Sequence, residues 1–470
     1  MGDAAQHYDL VVLGAGSGRV VLGPHLAHLR AAIVDHGPYG GTCLNRGCIP
    51  SKMFLHVARA AAGVPDLARL GVDARVERVR WDDIRDRVFG RIDPNAAAGP
   101  AEVRSAGVDA YVGTARFVAP GRLVIEEGDG VTEVTAERVV LATGARPVVP
   151  DVVANSGVPF VTSDDVMRLP ALPERLLVLG GGVIGVEMAT LFCGMGVRVT
   201  VVDSVEALVP TLGADIARRF TDMARTRWAL HLGAEVTAVE QGRDGIHLRL
   251  DDGTALTGDA LLVATGRRPN SDGFGLETIG VDIDPDSGRV LVDDFGRTSA
   301  DGVWALGGVC TERQLKHLAN DQARTLRHNL LTPDDLKPFR TKAIPSAIFS
   351  QPELAQVGYL LEEAQKEGHD AVAYTQRLSD TAYGWALEDT TSVCTVVAER
   401  STGVVLGAQL TAPNASTLIQ PLTDACARGR PAREIATTQM WIHPAATELI
   451  ENALLGVADA AEGDSSHGDL

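Results

Sequence analysis

Residues 10–19 read Leu10-Val11-Val12-Leu13-Gly14-Ala15-Gly16-Ser17-Gly18-Arg19, an apolar run that stops on a glycine-rich turn. A second apolar run ends at Asp35, 21 residues past Gly14. The pattern returns at Leu176-Leu177-Val178-Leu179-Gly180-Gly181-Gly182-Val183-Ile184-Gly185, and the run 197–202 leads to Asp203. Each copy predicts strand, turn, helix and strand. In such a unit the glycines let the backbone reach a pyrophosphate at a helix N-terminus, and the acid binds ribose hydroxyls. One glycine pattern alone is weak evidence. Two copies, each with its strand, helix and acid, predict two dinucleotide-binding modules. The first copy carries Arg19 at its third glycine position, so helix and strand cannot pack there as the pattern prefers, and Gly18 one place earlier is set to absorb part of that. The stretch 176–202 is long and apolar, but Glu187, Arg198 and the glycine turn inside it speak against a membrane span.

Working outward, Val139-Val140-Leu141-Ala142-Thr143-Gly144-Ala145-Arg146-Pro147 and Leu261-Leu262-Val263-Ala264-Thr265-Gly266-Arg267-Arg268-Pro269 each read as a buried strand stopped by Gly and Pro. Two similar domains, one inserted in the other, explain the echo. From Thr341 the texture changes to alternating strands, at 393–397 and 404–410, and helices without glycine fingerprints. The fold class expected is α/β, with two Rossmann-like dinucleotide-binding domains and a C-terminal α+β domain. The small, polar, acidic stretch 459–470 is expected to be a disordered tail.

At roughly 150 residues per domain, 470 residues predict about three domains, and 45% hydrophobic with 22% charged residues is a globular composition. A net charge of −18 makes nucleic acid and anionic membrane surfaces poor partners. The opening residues lack a basic and then apolar run, so a cytoplasmic location is expected. Six cysteines are too few for a secreted disulfide scaffold, and the scattered Cys193, Cys310, Cys394 and Cys426 read as buried structural thiols.

Cys43 and Cys48 are different. They lie in Gly40-Gly41-Thr42-Cys43-Leu44-Asn45-Arg46-Gly47-Cys48-Ile49-Pro50, with four residues between the sulfurs. In a reducing compartment such a pair is catalytic or metal-binding before it is structural. Zinc wants two more ligands at similar spacing, and none follows, so no metal is expected. Disulfide exchange needs a thiolate nucleophile, a resolving sulfur and a proton donor for the leaving thiol. A regular helix would separate the two positions by about 7.5 Å of rise, beyond the roughly 4.4 to 6.8 Å between Cα atoms that a disulfide tolerates. A helix must therefore be distorted or begin between them, which Gly47 and Pro50 ease.

With His443-Pro444-Ala445-Ala446-Thr447-Glu448 added to these motifs, the chain resembles the pyridine nucleotide-disulfide oxidoreductases over essentially its whole length up to the tail. Stretches 314–320, 383–390, 415–420 and 441–455 look most like the mycothione reductase branch. The nucleotide module, with residues 183–187 and Asp203, looks more like that of the dihydrolipoamide dehydrogenases. The resemblance implies an FAD domain from 1–148 and 272–340, an NAD(P) domain from 149–271, and an interface domain from 341–458. It implies a homodimer in which His443 reaches the cysteines of the other subunit. Cys43 would be the interchange thiol and Cys48 the sulfur beside the flavin. His443 would protonate the departing thiol, with its imidazole held by Glu448. Lys52 and Glu187 resemble the family's ion pair near flavin and nicotinamide. The cofactor contacts implied, for FAD and NAD(P)H, are Gly14, Gly16, Gly18, Asp35, Gly41, Thr42, Lys52, Thr143, Gly144, Gly180, Gly182, Gly185, Glu187, Asp203, Gly266, Gly308, Gln314 and Leu315.

Three positions depart from the pattern. Relatives carry an Asp at the place of Gly308 to bind a ribityl hydroxyl, a bond worth about 1.5–3 kcal/mol. Asp203-Ser204-Val205-Glu206 puts carboxylates where a 2′-phosphate would sit, which favours NADH over NADPH. Arg46 stands where relatives have an aliphatic residue; it is either a surface Arg or a cation that lowers a thiol pKa or meets an anionic substrate. The activity expected is reduction of a low-molecular-weight, mycothione-like disulfide by NAD(P)H through FAD. A dihydrolipoamide dehydrogenase, or a specialised oxidoreductase acting on a biosynthetic dithiol or disulfide, is the alternative. Outside enzymes, a flavin-depleted binding protein would keep the same fold.

Overall fold

Gly14 turns the chain at φ +108°, and a Cβ there would fall 2.3 Å from the carbonyl oxygen of Ala142. Gly180 repeats this at φ +111°, with a Cβ 2.4 Å from the oxygen of Ala264. Only glycine fits either place. Ala142 N–H donates to Leu13 and Ala264 N–H to Leu179, both at 2.7 Å, so the echoed segments close equivalent corners. In a computed structural model the residues described are 6–463. They form two compact units, one of residues up to Val57, Val64–Gly180 and Val236–Arg340, the other of Ala58–Gly63, Gly181–Glu235 and the chain from Thr341.

The first unit is built on a seven-stranded sheet. Asp109–Val112, Ala31–Asp35, Gln6–Leu13, Gly130–Leu141 and Val303–Ala305 run parallel in that order, and the strands Arg122–Glu127 and Thr114–Ala119 extend it antiparallel. Val11 and Leu13 pack into one core while Leu10 and Val12 pack into another, so both faces are covered and the strand reads as continuously apolar. The same unit holds Arg175–Leu179 parallel to Ala260–Val263, and an antiparallel meander of Val236–Gln241, Ile246–Leu250 and Ala255–Gly258.

One expected element is corrected. No long helix follows the first glycine turn; the chain makes two short 3₁₀ turns, Ser17–Val20 and Pro24–Leu26. Gly23 and Pro24 interrupt it, since proline lacks the N–H and its ring clashes with the preceding turn. Gly18 takes the close packing that Arg19 cannot: a Cβ there would lie 2.7 Å from Val12 Cγ1. Arg19 turns away to Glu102 at 3.1 Å.

In the second unit the helix Val183–Gly194 is buried through most of its length, as its apolar sequence requires. Arg198–Asp203 pairs parallel with Ala229–Leu232. No helix among the described residues is long and apolar enough to cross a membrane. A five-stranded antiparallel sheet follows, in the order Ser346–Ile348, Glu353–Gly358, Val405–Ala412, Val393–Glu399, Ala371–Arg377. The helix Glu448–Glu462 covers it with Leu449, Ala453, Leu454 and Val457. The disorder expected from Asp459 onward is corrected in part, because Asp459 is buried and ion-paired with Arg433, which also holds Glu462 at 2.9 Å. Residues 464–470 lie outside the described residues.

Candidate active site

Cys43 belongs to the short helix Gly41–Asn45, and Cys48 begins the next helix, Cys48–Ala62. The break required by the spacing of the sulfurs falls at Arg46-Gly47. A Cβ on Gly47 would sit 3.0 Å from Thr42 O and 3.3 Å from Cys43 Cα, so a side chain there would push the two turns apart. Buried Asn45 fastens the loop, donating from Nδ2 to Pro38 O at 3.0 Å and Gly41 O at 2.9 Å. Both cysteines are free thiols; Cys43 is half-buried and Cys48 exposed. A hydrogen bond with the Cys48 sulfur, followed by burial, pushes the Cys43 thiol well above its ordinary value, while Lys316 pulls it down.

Both sulfurs open on a cleft of about 580 Å³ within the first unit. Of the cofactor contacts expected, Gly14, Gly16, Asp35, Gly41 and Thr42 line it, as do Thr143, Gly144, Gly308, Gln314 and Leu315. Gly16 and Gly41 face one another, and a Cβ on Gly41 would fall 2.7 Å from Gly16 Cα. Asp35 closes its own turn, accepting Ala15 N–H at 2.6 Å and Gly37 N–H at 2.8 Å. Thr143 Oγ1 donates to Asn270 O at 2.6 Å, which ties the two sequence-distant walls.

Other expected residues lie elsewhere. Gly18 packs against the strand and does not line the cleft. Gly266 adopts φ +127° and its carbonyl accepts Val148 N–H at 3.0 Å. Lys52 donates to Ser51 Oγ at 3.3 Å. Glu187 is buried and accepts Phe349 N–H at 3.1 Å. Asp203 repeats the role of Asp35, accepting Gly181 N–H at 2.5 Å and Val205 N–H at 3.2 Å. Gly182 leaves open space around its Cα, and Gly185 is buried in the helix that follows.

The cleft also gathers charged residues that were not among the expected contacts. Lys316 begins the helix Lys316–Leu331 and donates from Nζ to Ser17 Oγ at 3.0 Å. Arg267 donates to Ser163 Oγ at 3.3 Å and to Ala145 O. Burial lowers the Arg267 pKa, and Asp164 and Cys48 act against that. Arg46 pairs with Asp164 at 3.3 Å, so the cation between the cysteines is neither free nor a simple surface residue. Cys394 is buried and Cys193, Cys310 and Cys426 are half-buried; burial raises all four thiols, Cys310 and Cys426 to about 12.

In the second unit, Glu448 is the first residue of its helix, and its carboxylate meets Nδ1 of His443. The Glu448 side chain is 10% exposed and that of His443 72%, so a buried acid holds an imidazole whose other nitrogen is open. Met440, Ile442 and Trp385 are exposed apolar residues of the same unit.

Residues 8–323 match the family model described as pyridine nucleotide-disulphide oxidoreductase, and residues 344–454 match the dimerisation domain of that family. The chain belongs to this family. It is similar to mycothione reductase of Mycobacterium tuberculosis, 44% identical over 96% of this chain and 99% of the relative. It is also similar to dihydrolipoyl dehydrogenase of Haloferax volcanii, 31% identical over 99% of each. Among solved structures, LpdA from Mycobacterium tuberculosis matches with a TM-score of 0.85 at 26% identity, over 96% of this chain and 99% of that one. The pyridine nucleotide-disulphide oxidoreductases use FAD and NAD(P)H, and this chain is an NAD(P)H-dependent flavoprotein disulfide reductase. Its cleft fits a flavin dinucleotide: the walls are bare glycine backbone at Gly14, Gly16 and Gly41.

Proposed function

We propose that this enzyme reduces a low-molecular-weight disulfide of the mycothione type, with NADH as the preferred reductant. One observation carries the chemistry: Cys43 and Cys48 stand on either side of a helix break and open on one glycine-lined cleft. The 44% identity to mycothione reductase supports the substrate class. Gly14, Gly16, Asp35, Thr42, Gly144 and Gln314 would hold FAD, which when bound carries an electron pair from the pyridine nucleotide to sulfur.

In this reading Cys43, once a thiolate, attacks the substrate disulfide, and Cys48 then attacks Cys43 to release the second thiol and close the Cys43–Cys48 bond. Each departing sulfur needs a proton. His443 supplies it to the substrate thiol, and Glu448 fixes the tautomer that leaves Nε2 facing the substrate. The match to a dimerisation domain and the exposed Met440, Ile442 and Trp385 support a homodimer in which His443 of one protomer serves the cysteines of its partner. A cytoplasmic location accords with thiols that must be returned to the reduced state.

NADH is favoured because Asp203 and exposed Glu206 follow the second strand without a neighbouring Lys or Arg in 203–209. The test is to titrate the oxidised enzyme anaerobically with NADH and with NADPH, following long-wavelength charge-transfer absorbance, and then to add mycothione, lipoamide or glutathione disulfide. Reoxidation by mycothione alone is expected. Reoxidation by lipoamide alone would assign the enzyme to the dihydrolipoyl dehydrogenase reaction.

A further inference from the structure

We propose that Lys316 is a positioning residue of the redox site, holding a fixed positive charge that stabilises thiolate at the Cys43–Cys48 pair. The inference rests on the reading above that these cysteines are the redox pair. Its ground is geometric. Lys316 is the first residue of the helix Lys316–Leu331, and its side chain folds into the cleft that both sulfurs line. The ammonium donates to Ser17 Oγ at 3.0 Å, and the same hydroxyl donates to Asn320 Oδ1 at 3.0 Å, one turn along the Lys316 helix. Ser17 lies in the glycine turn, so the fingerprint loop and the helix grip the ammonium between them. A free lysine side chain samples many rotamers; the tether removes that freedom before any thiolate forms.

The other charges of the cleft are arranged differently. Arg46 is paired with Asp164, which offsets one charge, and Arg267 is spent on Ser163 Oγ and Ala145 O. Arg19 faces Glu102. Among the described residues no carboxylate pairs with Lys316. Burial lowers the Lys316 pKa, and Cys43 and Cys48 oppose this, while Arg19 adds to it. The N-terminus of a helix adds its partial positive charge at the same place. A half-buried ammonium without an acid partner gains when a negative charge comes to it, and the thiolate of a reduced pair is such a charge.

The test uses the reduced, flavin-loaded enzyme without substrate. Long-wavelength thiolate-to-flavin charge-transfer absorbance and alkylation rate are followed against pH for the parent, Lys316→Met, Lys316→Arg and Ser17→Ala. In Lys316→Met the first thiol midpoint is expected to rise by about one pH unit, with roughly tenfold slower alkylation at neutral pH. Lys316→Arg restores it, and Ser17→Ala shifts it part of the way. Midpoints unchanged in both Lys316→Met and Ser17→Ala would overturn the proposal; should Lys316→Met not fold, Lys316→Gln and Ser17→Ala decide by the same titration. Failure of the underlying reading shows separately, as Cys43→Ser and Cys48→Ser enzymes that still turn over a disulfide.

Discussion

Glu448 meets His443 through Nδ1 from the first turn of a buried helix, so the acid is rigid where the imidazole is exposed. The imidazole is thereby fixed in tautomer and direction without being enclosed. If it is the proton donor, His443→Ala should lower kcat by about 10²–10⁴-fold. Glu448→Ala should cost less, on the order of 10- to 100-fold, with KM little changed. Equal losses in kcat and a raised KM in both variants would point to a substrate-binding role.

Gly308 has ordinary room around it: a Cβ would meet Gln314 Cγ and Gly144 at 3.6 Å, with no positive φ to strain. Gly308→Asp should therefore fold as well as the parent and hold FAD more tightly, by about 1.5–3 kcal/mol if the new carboxylate finds a ribityl hydroxyl. Flavin release in mild denaturant, followed by fluorescence, measures it. Faster release from the variant would remove this account of the position.

Cofactor choice should follow the carboxylates after the second strand. Glu206→Arg should raise kcat/KM for NADPH by at least about tenfold, because a like charge that opposed the 2′-phosphate becomes an opposite one. The parent should prefer NADH in steady-state assays with mycothione, and a tenfold preference for NADPH would contradict the reading of Asp203 and Glu206.

The Cys43 thiol is held high chiefly by its hydrogen bond with the Cys48 sulfur. Removing that sulfur should bring the Cys43 midpoint down, so that more thiolate is present at neutral pH and alkylation quickens. Reduced Cys48→Ala protein labelled with iodoacetamide across a pH series gives the shift. An unchanged midpoint in the variant would show that burial alone sets it.

Gly14 and Gly180 should fail alike. Each has φ above +100° and would drive a Cβ into a backbone oxygen, so Gly14→Ala and Gly180→Ala should each cost about 3 kcal/mol or more, strain and overpacking together. Denaturant titration measures both. A tolerated alanine at one position and not the other would break the equivalence of the two modules.

Much of this was legible in the residues. The glycine turns, the acids Asp35 and Asp203, and the break between Cys43 and Cys48 each follow from a local steric or spacing rule. The Gly23-Pro24 interruption was equally local, and the pull of the fingerprint pattern hid it. Lys316, Arg267 and Asp164 were not legible as site residues. Each lies in a separate segment, and only the folded sheet brings their charges to one cleft. Asp459 was misread for a similar reason: as a string of small acidic residues the tail has no reason to order, but its first acid is paired with Arg433 from an earlier helix.

The gap at Arg46-Gly47 has a mechanical corollary. Since the two sulfurs hang from different helices, a bond closed between them would cross a joint and would not have to stretch the hydrogen-bond ladder of any single helix. Crystals of the protein should then survive repeated soaking in reductant and oxidant without cracking.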